Sequence, residues 1–213
     1  MSVAQQLALW ADQLRHLAGM GLRFSDDLYD RENYRQIQEI AVAMLALATG
    51  QAPAQLEPLR ASVLSHVTPF VAGDAAVIDD AGRILLIRRA DNDLWAMPGG
   101  ALEVGETPAA GVAREAREET GIPCEAVALV GIHDSRLAGT VTAHHLYHLL
   151  FLCRPLTTTA GPASHAVEVL ESGWFAENAL PTDLDPGHAS RIPEAFRVWH
   201  GDERASFDEV YDA

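Results

Sequence analysis

At 213 residues the chain is long enough for a sizeable core, in one domain or in a domain with an appendage. It carries 15 Lys and Arg against 30 Asp and Glu, a formal charge of −15, so its surface as a whole repels nucleic acid and anionic membranes. A phosphate-bearing small molecule still binds such a protein where something local and positive receives it. The two cysteines, Cys124 and Cys153, demand no disulfide, and a reducing, cytoplasmic setting is expected. The opening MSVAQQLALWADQL lacks the basic-then-apolar order of a signal peptide. The longest apolar run, LYHLLFLC at 146–153, is too short to cross a bilayer.

The first part of the chain reads as helical. Val3, Leu7, Trp10, Leu14 and Leu17 recur at three- and four-residue steps, and Gly19 and Gly21 then interrupt the pattern. Asp30 is the expected N-cap of a second helix with Tyr34, Ile37, Ala41, Met44, Leu45 and Ala48 on its apolar face and Gly50 as its stop. A short third helix is expected from Pro53 or Pro58 to about Ser65, and His66 to Pro69 reads as a linker. Three helices cannot bury their apolar faces alone, so they are expected to dock on the rest of the protein or on a second copy.

Beyond the linker the period changes. Residues 74–89 read as two strands joined at Asp80-Ala81-Gly82, a hairpin signal. Residues 126–134, 143–153 and 172–176 are strand-like, Pro193 opens a last short helix ending near Trp199, and the acidic tail from Gly201 is expected to be loose. The expected division is a helical domain over 1–66, a strand-rich domain over 67–200 and a tail over 201–213. Strands with an intervening helix argue for an α+β or α/β sandwich.

The most informative stretch is GALEVGETPAAGVAREAREETGI, residues 100–122. Thr107 is a good N-cap, Pro108 suits the first helical position and Gly121 suits the residue past the end, so a helix is predicted over about 107–120. On it Glu115, Glu118 and Glu119 stand at i, i+3 and i+4, which is one face. Carboxylates crowded in this way repel one another unless a cation sits among them, and hard oxygen donors suit Mg²⁺ or Mn²⁺. Taken alone, the same string also reads as a solvated acidic face with pairs such as Arg114–Glu118.

The whole set decides between these. Gly100, then Glu106 after five residues, Arg114-Glu115 after seven more, apolar Ala116, Glu118-Glu119, Gly121 and Ile122 together resemble the signature of the Nudix hydrolase family. Ala116 is smaller than the aliphatic residue usual there, but it remains apolar. The N-terminal run, including Gly21, Tyr29 or Asp30, and Tyr34, resembles the helical extension of a Nudix subgroup that includes the CDP-choline pyrophosphatases.

The resemblance implies an α+β fold, a mixed sheet between helices (an α/β/α sandwich) with an N-terminal helical extension, and a homodimer built partly through those helices. It implies metal-dependent hydrolysis of a diphosphate linked to a further group. Glu115, Glu118 and Glu119 are then the metal ligands, joined by the backbone carbonyl of Gly99 or Gly100. Arg114 holds a carboxylate by an ion pair, and Glu106 fixes the helix or the loop. The general base stays open among Glu168, Glu171 and His133. Arg88, Arg89 and Arg136 are candidates to receive phosphate. His144, His145 and His148 bring no cysteine at zinc-site spacing, so zinc is not expected. Trp95, Phe70 and Tyr147 are read first as packing residues.

CDP-choline is the first substrate expected, ADP-ribose or a nucleotide sugar the second. A non-catalytic nucleotide-binding regulator is the main alternative, and the intact glutamates argue against it. RNA processing is weakened by the charge of −15. A purely structural acidic helix predicts no cation binding.

Overall fold

The computed structural model describes residues 1–52, 54–56, 68–137, 145–165, 167–202 and 204–208. It divides into two compact units, one of residues 1–68 with 103–105 and one of the remainder.

The first unit is built on two long helices. α1 runs Val3–Phe24, opened by a capping box between Ser2 and Gln5. α2 runs Leu28–Thr49 and ends at Gly50, whose φ of 68° is the left-handed conformation glycine adopts without strain. Two expectations are corrected here. α1 does not break at Gly19 and Gly21 but continues to Phe24. A Cβ on Gly21 would lie 2.2 Å from the ring of Tyr34, so this glycine lets α2 approach rather than ending α1. The α2 cap is Asp27, not Asp30: its carboxylate accepts from the amides of Tyr29 and Asp30. Val42, Ala46 and Leu56 form the small core. Of the expected third helix only 54–56 is described, as helix, and the rest lies outside the described residues.

Among its described residues the second unit carries eight strands: β1 Phe70–Val77, β2 Arg83–Arg89, β3 Trp95–Ala96, β4 Gly99–Ala101, β5 Cys124–Asp134, β6 Leu146–Pro155, β7 Val169–Ala176 and β8 Ser206–Phe207. Its helices are α3 Pro108–Thr120, the short α4 Pro186–Ala189 and α5 Ile192–Trp199. A mixed sheet has the order β4-β1-β6-β5-β8, with β1 and β6 parallel and β5 and β6 antiparallel. A second sheet has the order β3-β2-β7.

The period-2 alternation sorts the side chains into two cores. Ala76, Ile84, Leu86, Leu150 and Leu152 face one side, with Ile192, Ala195 and Phe196 of α5. Ala75, Val77, Leu85 and Cys153 face the other, with Val112 and Ala116 of α3. The mixed sheet therefore lies between helices, as the family resemblance implied. Ala116 is fully buried, so its small size is accommodated by close packing.

The hairpin expected at 80–82 is a further correction. The turn exists, with Gly82 at φ 71°, but β1 and β2 leave it into different sheets and share only the isolated bridge Ile78–Ile84. β1 is buried along almost its whole length and takes β4 and β6 as its neighbours, which leaves no edge for β2. The tail is not uniformly loose either, since Ser206 and Phe207 pair in parallel with Gly131 and Ile132. No described helix is long and apolar enough to cross a membrane.

Candidate active site

Local chemistry sets α3 where the sequence predicts it. The Thr107 hydroxyl accepts from the Ala110 amide, Pro108 opens the helix, and Gly121 closes it at φ 69°. The apolar stripe of α3 faces the core, which turns its glutamates toward the glycine loop 99–101. Gly100 makes room for Glu115: a Cβ there would lie 2.8 Å from the Glu115 carboxylate. At Gly99 the backbone N–H donates to Oε2 of Glu119 at 2.9 Å. The loop thus meets two of the three glutamates.

Arg114 organises the remaining charges. Its Nε and Nη2 donate to the two oxygens of Glu106 at 3.1 and 2.8 Å, a two-point geometry that only a guanidinium supplies. Its Nη1 donates to Glu115 at 2.8 Å and to Glu118 at 3.2 Å. Through Arg114, Glu106 is tied to the signature helix.

One arginine does not neutralise three glutamates. Glu119 is pushed up to about 8, first by burial and then by repulsion from Glu115 and Glu168, against the Gly99 hydrogen bond. Glu115 is also raised, chiefly by burial, with Glu118 adding and Arg114 opposing. Half-buried carboxylates under mutual repulsion are a setting that a divalent cation relieves. The donor set fits such a cation: Glu115, Glu118 and His165 each offer an atom, all within 4.8 Å of one another. Glu119 borders the same face.

The other expected residues separate. Glu168 ends the loop before β7 and lies close enough to Glu119 to raise it. Glu171 stands across from Arg88 in the β2–β7 ladder and accepts from it at 3.2 Å. Arg88 also meets Asp93 at 2.8 Å, and Arg136 pairs with Asp134. Arg89, paired with Asp91, feels the charge of Glu119. His133 is buried on β5 beside Glu194 at 3.4 Å and Asp208 at 3.7 Å. His145 meets Asp134 at 3.1 Å, and His144 lies outside the described residues. Trp95 packs edge-on against Phe175 at 4.8 Å between ring centroids.

Sequence reasoning missed two groups. His165, in the loop before β7, carried no local signal. The second is a buried cluster on Asp74 of β1, the strand partner of Gly99. Asp74 pairs with Arg191, and its carboxylate accepts from His148 Nδ1 at 3.0 Å. Burial alone would raise its carboxyl, but Arg191 and His148 outweigh that and hold it far below the usual range. Nearby, the Met97 amide donates to His188 Nδ1 at 3.2 Å, just before the glycine loop.

Comparison with known proteins agrees with this geometry. Residues 68–195 match the family description "NUDIX domain". The chain belongs to the Nudix hydrolase family. In this Nudix hydrolase, residues 5–59 match a second description, "UDP-X-like, N-terminal oligomerisation domain". A Bacillus subtilis protein named "Putative ADP-ribose pyrophosphatase YjhB" is 29% identical over 203 residues, covering 93% of this chain and 95% of that one. An ADP-ribose pyrophosphatase of Methanocaldococcus jannaschii is 32% identical, covering 54% of this chain and 67% of its own. Among solved structures, a UDP-X diphosphatase shares the fold at TM-score 0.59 and 23% identity, covering 96% of this chain and 98% of that one. An ADP-ribose pyrophosphatase of Streptococcus suis superposes at TM-score 0.56 and 28% identity, covering 66% of this chain and all of its own, at 100%.

Proposed function

We propose that this Nudix hydrolase cleaves the diphosphate of a nucleoside diphosphate linked to a further group, X, with water and a divalent cation. The observation that carries the reading is the placement of Glu115 and Glu119 against the glycine loop, with Arg114 as the counter-charge of Glu115 and Glu118. When bound there, Mg²⁺ or Mn²⁺ supplies charge neutralisation of the diphosphate and a lowered pKa for a bound water. Glu115, Glu118 and Glu119 would hold that cation.

The protein's own residues do the rest by position. The Gly99 amide and the cleft at Gly100 orient Glu119 and Glu115, and Arg114 locks Glu106 to the helix. Glu168 is the general base of this account. Its carboxylate takes a proton from the attacking water, whose oxygen then forms the new bond to phosphorus as the bridging P–O bond breaks. The products are a nucleoside monophosphate and a phosphorylated X. Glu168 is favoured over Glu171 because it shares the electrostatic field of Glu119, whereas Glu171 is engaged by Arg88. Phosphate reception falls to Arg89 before Arg88 or Arg136 on the same ground.

For the nucleotide, ADP-ribose stands first, on the names of the full-length B. subtilis relative and the S. suis structure. CDP-choline stands second, on the likeness of the N-terminal helices. The homodimer expected through those helices is supported by the oligomerisation-domain match and by exposed Trp10, Leu17 and Leu47. A panel of ADP-ribose, CDP-choline, UDP-sugars and dinucleotides, assayed with Mg²⁺ and read by mass spectrometry of both products, tests the reading. Cleavage of ADP-ribose between its phosphates is expected. Release of inorganic phosphate or pyrophosphate from triphosphates alone would overturn it.

A further inference from the structure

The loop between β6 and β7 is anchored to the end of α3 at two points. The Gly161 amide donates to the Gly121 carbonyl at 2.9 Å, and the His165 amide donates to the Glu118 carbonyl at 2.9 Å. The Glu118 carbonyl belongs to the last turn of α3, where backbone acceptors have no partner within the helix. His165 satisfies one of them from outside. At Gly121 the contact is so close that an added Cβ would lie 2.1 Å from the Gly161 carbonyl oxygen. The loop's course past the carboxylate face is therefore fixed by backbone, not by chance side-chain packing.

This course carries the His165 ring to the glutamates. Its Nδ1 lies 3.7 Å from Oε2 of Glu118, too long for a hydrogen bond. Donors of one octahedral cation at about 2.1 Å each stand about 3.0 Å apart when adjacent and about 4.2 Å apart when opposite, and this spacing lies between the two. Glu115, Glu118 and His165 together keep their donor atoms within 4.8 Å.

We propose that His165 gives an imidazole nitrogen to the cation held by Glu115 and Glu118, so that this site prefers a transition-metal dication over Mg²⁺. The proposal rests on the metal-dependent reading above and deepens it. A carboxylate-only site suits Mg²⁺, whereas an imidazole ligand adds affinity along the series from Mn²⁺ upward. It also ties the loop that bears Glu168 to the cation, since the Glu168 amide donates to the His165 carbonyl at 3.0 Å.

The test uses Mn²⁺ as the probe, on the full chain and on His165→Ala. His165 is exposed, and circular dichroism verifies that the variant keeps its fold. Pulsed electron paramagnetic resonance of bound Mn²⁺ is expected to show coupling to ¹⁴N in the native protein and to lose it in His165→Ala. Calorimetry is expected to show the Mn²⁺-over-Mg²⁺ preference falling at least about tenfold, the scale on which even outer-shell partners act. Mn²⁺ bound without nitrogen coupling in the native protein overturns the proposal and leaves the functional reading standing. Coupling retained in His165→Ala does the same. Absence of Mn²⁺ and Mg²⁺ binding in the native protein overturns both.

Discussion

The Glu115 carboxylate occupies the space that a side chain at Gly100 would fill, with its carboxyl carbon 2.8 Å from the position of the missing Cβ. The glycine of the signature is therefore a packing requirement as much as a loop requirement. Gly100→Ala is expected to displace Glu115 while leaving the two sheets intact. A shift of about 1 Å in a positioned group costs on the order of 10²-fold in rate. Turnover measured beside far-ultraviolet circular dichroism checks this; unchanged turnover would show that Glu115 can move without consequence.

Arg114 holds Glu106 by two parallel hydrogen bonds and reaches Glu115 and Glu118 with its remaining nitrogen. Lysine keeps the charge but has no fork. Arg114→Lys is expected to lower kcat at least about tenfold, the loss of one charge-assisted contact at roughly 1.5 to 3 kcal/mol. Native-like activity in Arg114→Lys would mean that charge alone suffices there.

The two carboxylates of the β7 region are expected to behave differently. Glu168→Gln lowers kcat by about 10²- to 10⁴-fold, the range for losing a general base. Glu171→Gln, which loses only an exposed pair with Arg88, changes kcat by no more than a few-fold. Parallel steady-state kinetics on both variants decide between them, and the opposite ranking would move the base to Glu171.

How much of this was legible in the sequence depends on how local each cause is. Thr107, Pro108 and Gly121 act within one turn of α3, and the helix lies where they place it. The alternation in β1 and β6 likewise sorted into two cores. Gly21 misled because its reason is tertiary: it faces Tyr34 of another helix. The turn at Gly82 was visible, but strand partners are chosen by distant segments, so no hairpin formed. His165 and the Asp74–Arg191 pair were invisible because only the folded chain brings such separated residues together.

Gly21 gives a direct contest of magnitudes. Alanine exceeds glycine in helix propensity by about 0.8 to 1 kcal/mol, so Gly21→Ala would stabilise an isolated helix. Here the new methyl meets the Tyr34 ring, and overpacking costs about 1 to 3 kcal/mol. A net loss is expected, seen as a lower thermal midpoint of the helical signal and partly reversed by adding Tyr34→Leu. A raised midpoint in Gly21→Ala would contradict the packing account.

The buried cluster at Asp74 predicts a pH dependence of stability. Burial lowers His188 to about 4, and its Nδ1 accepts from the Met97 amide, which requires a neutral ring. The unfolded chain therefore binds a proton that the folded chain refuses between pH 6.5 and about 4. Stability is full above that window and falls through it on acidification, by at most about 1.4 kcal/mol per pH unit. Asp74, held low by Arg191 against burial, acts in the same direction at lower pH. Urea unfolding from pH 7 to pH 4.5 checks the slope, and His188→Asn, which keeps an acceptor for Met97, is expected to flatten it.

The most direct measurement titrates Mg²⁺ and Mn²⁺ into native protein and Glu118→Gln with ADP-ribose present, following formation of AMP and ribose phosphate. Native turnover is expected to rise with the cation, to vanish on chelation and to fall by at least about 10²-fold in Glu118→Gln. Cleavage that persists without any divalent cation, or that is untouched by the loss of the Glu118 charge, would contradict the account.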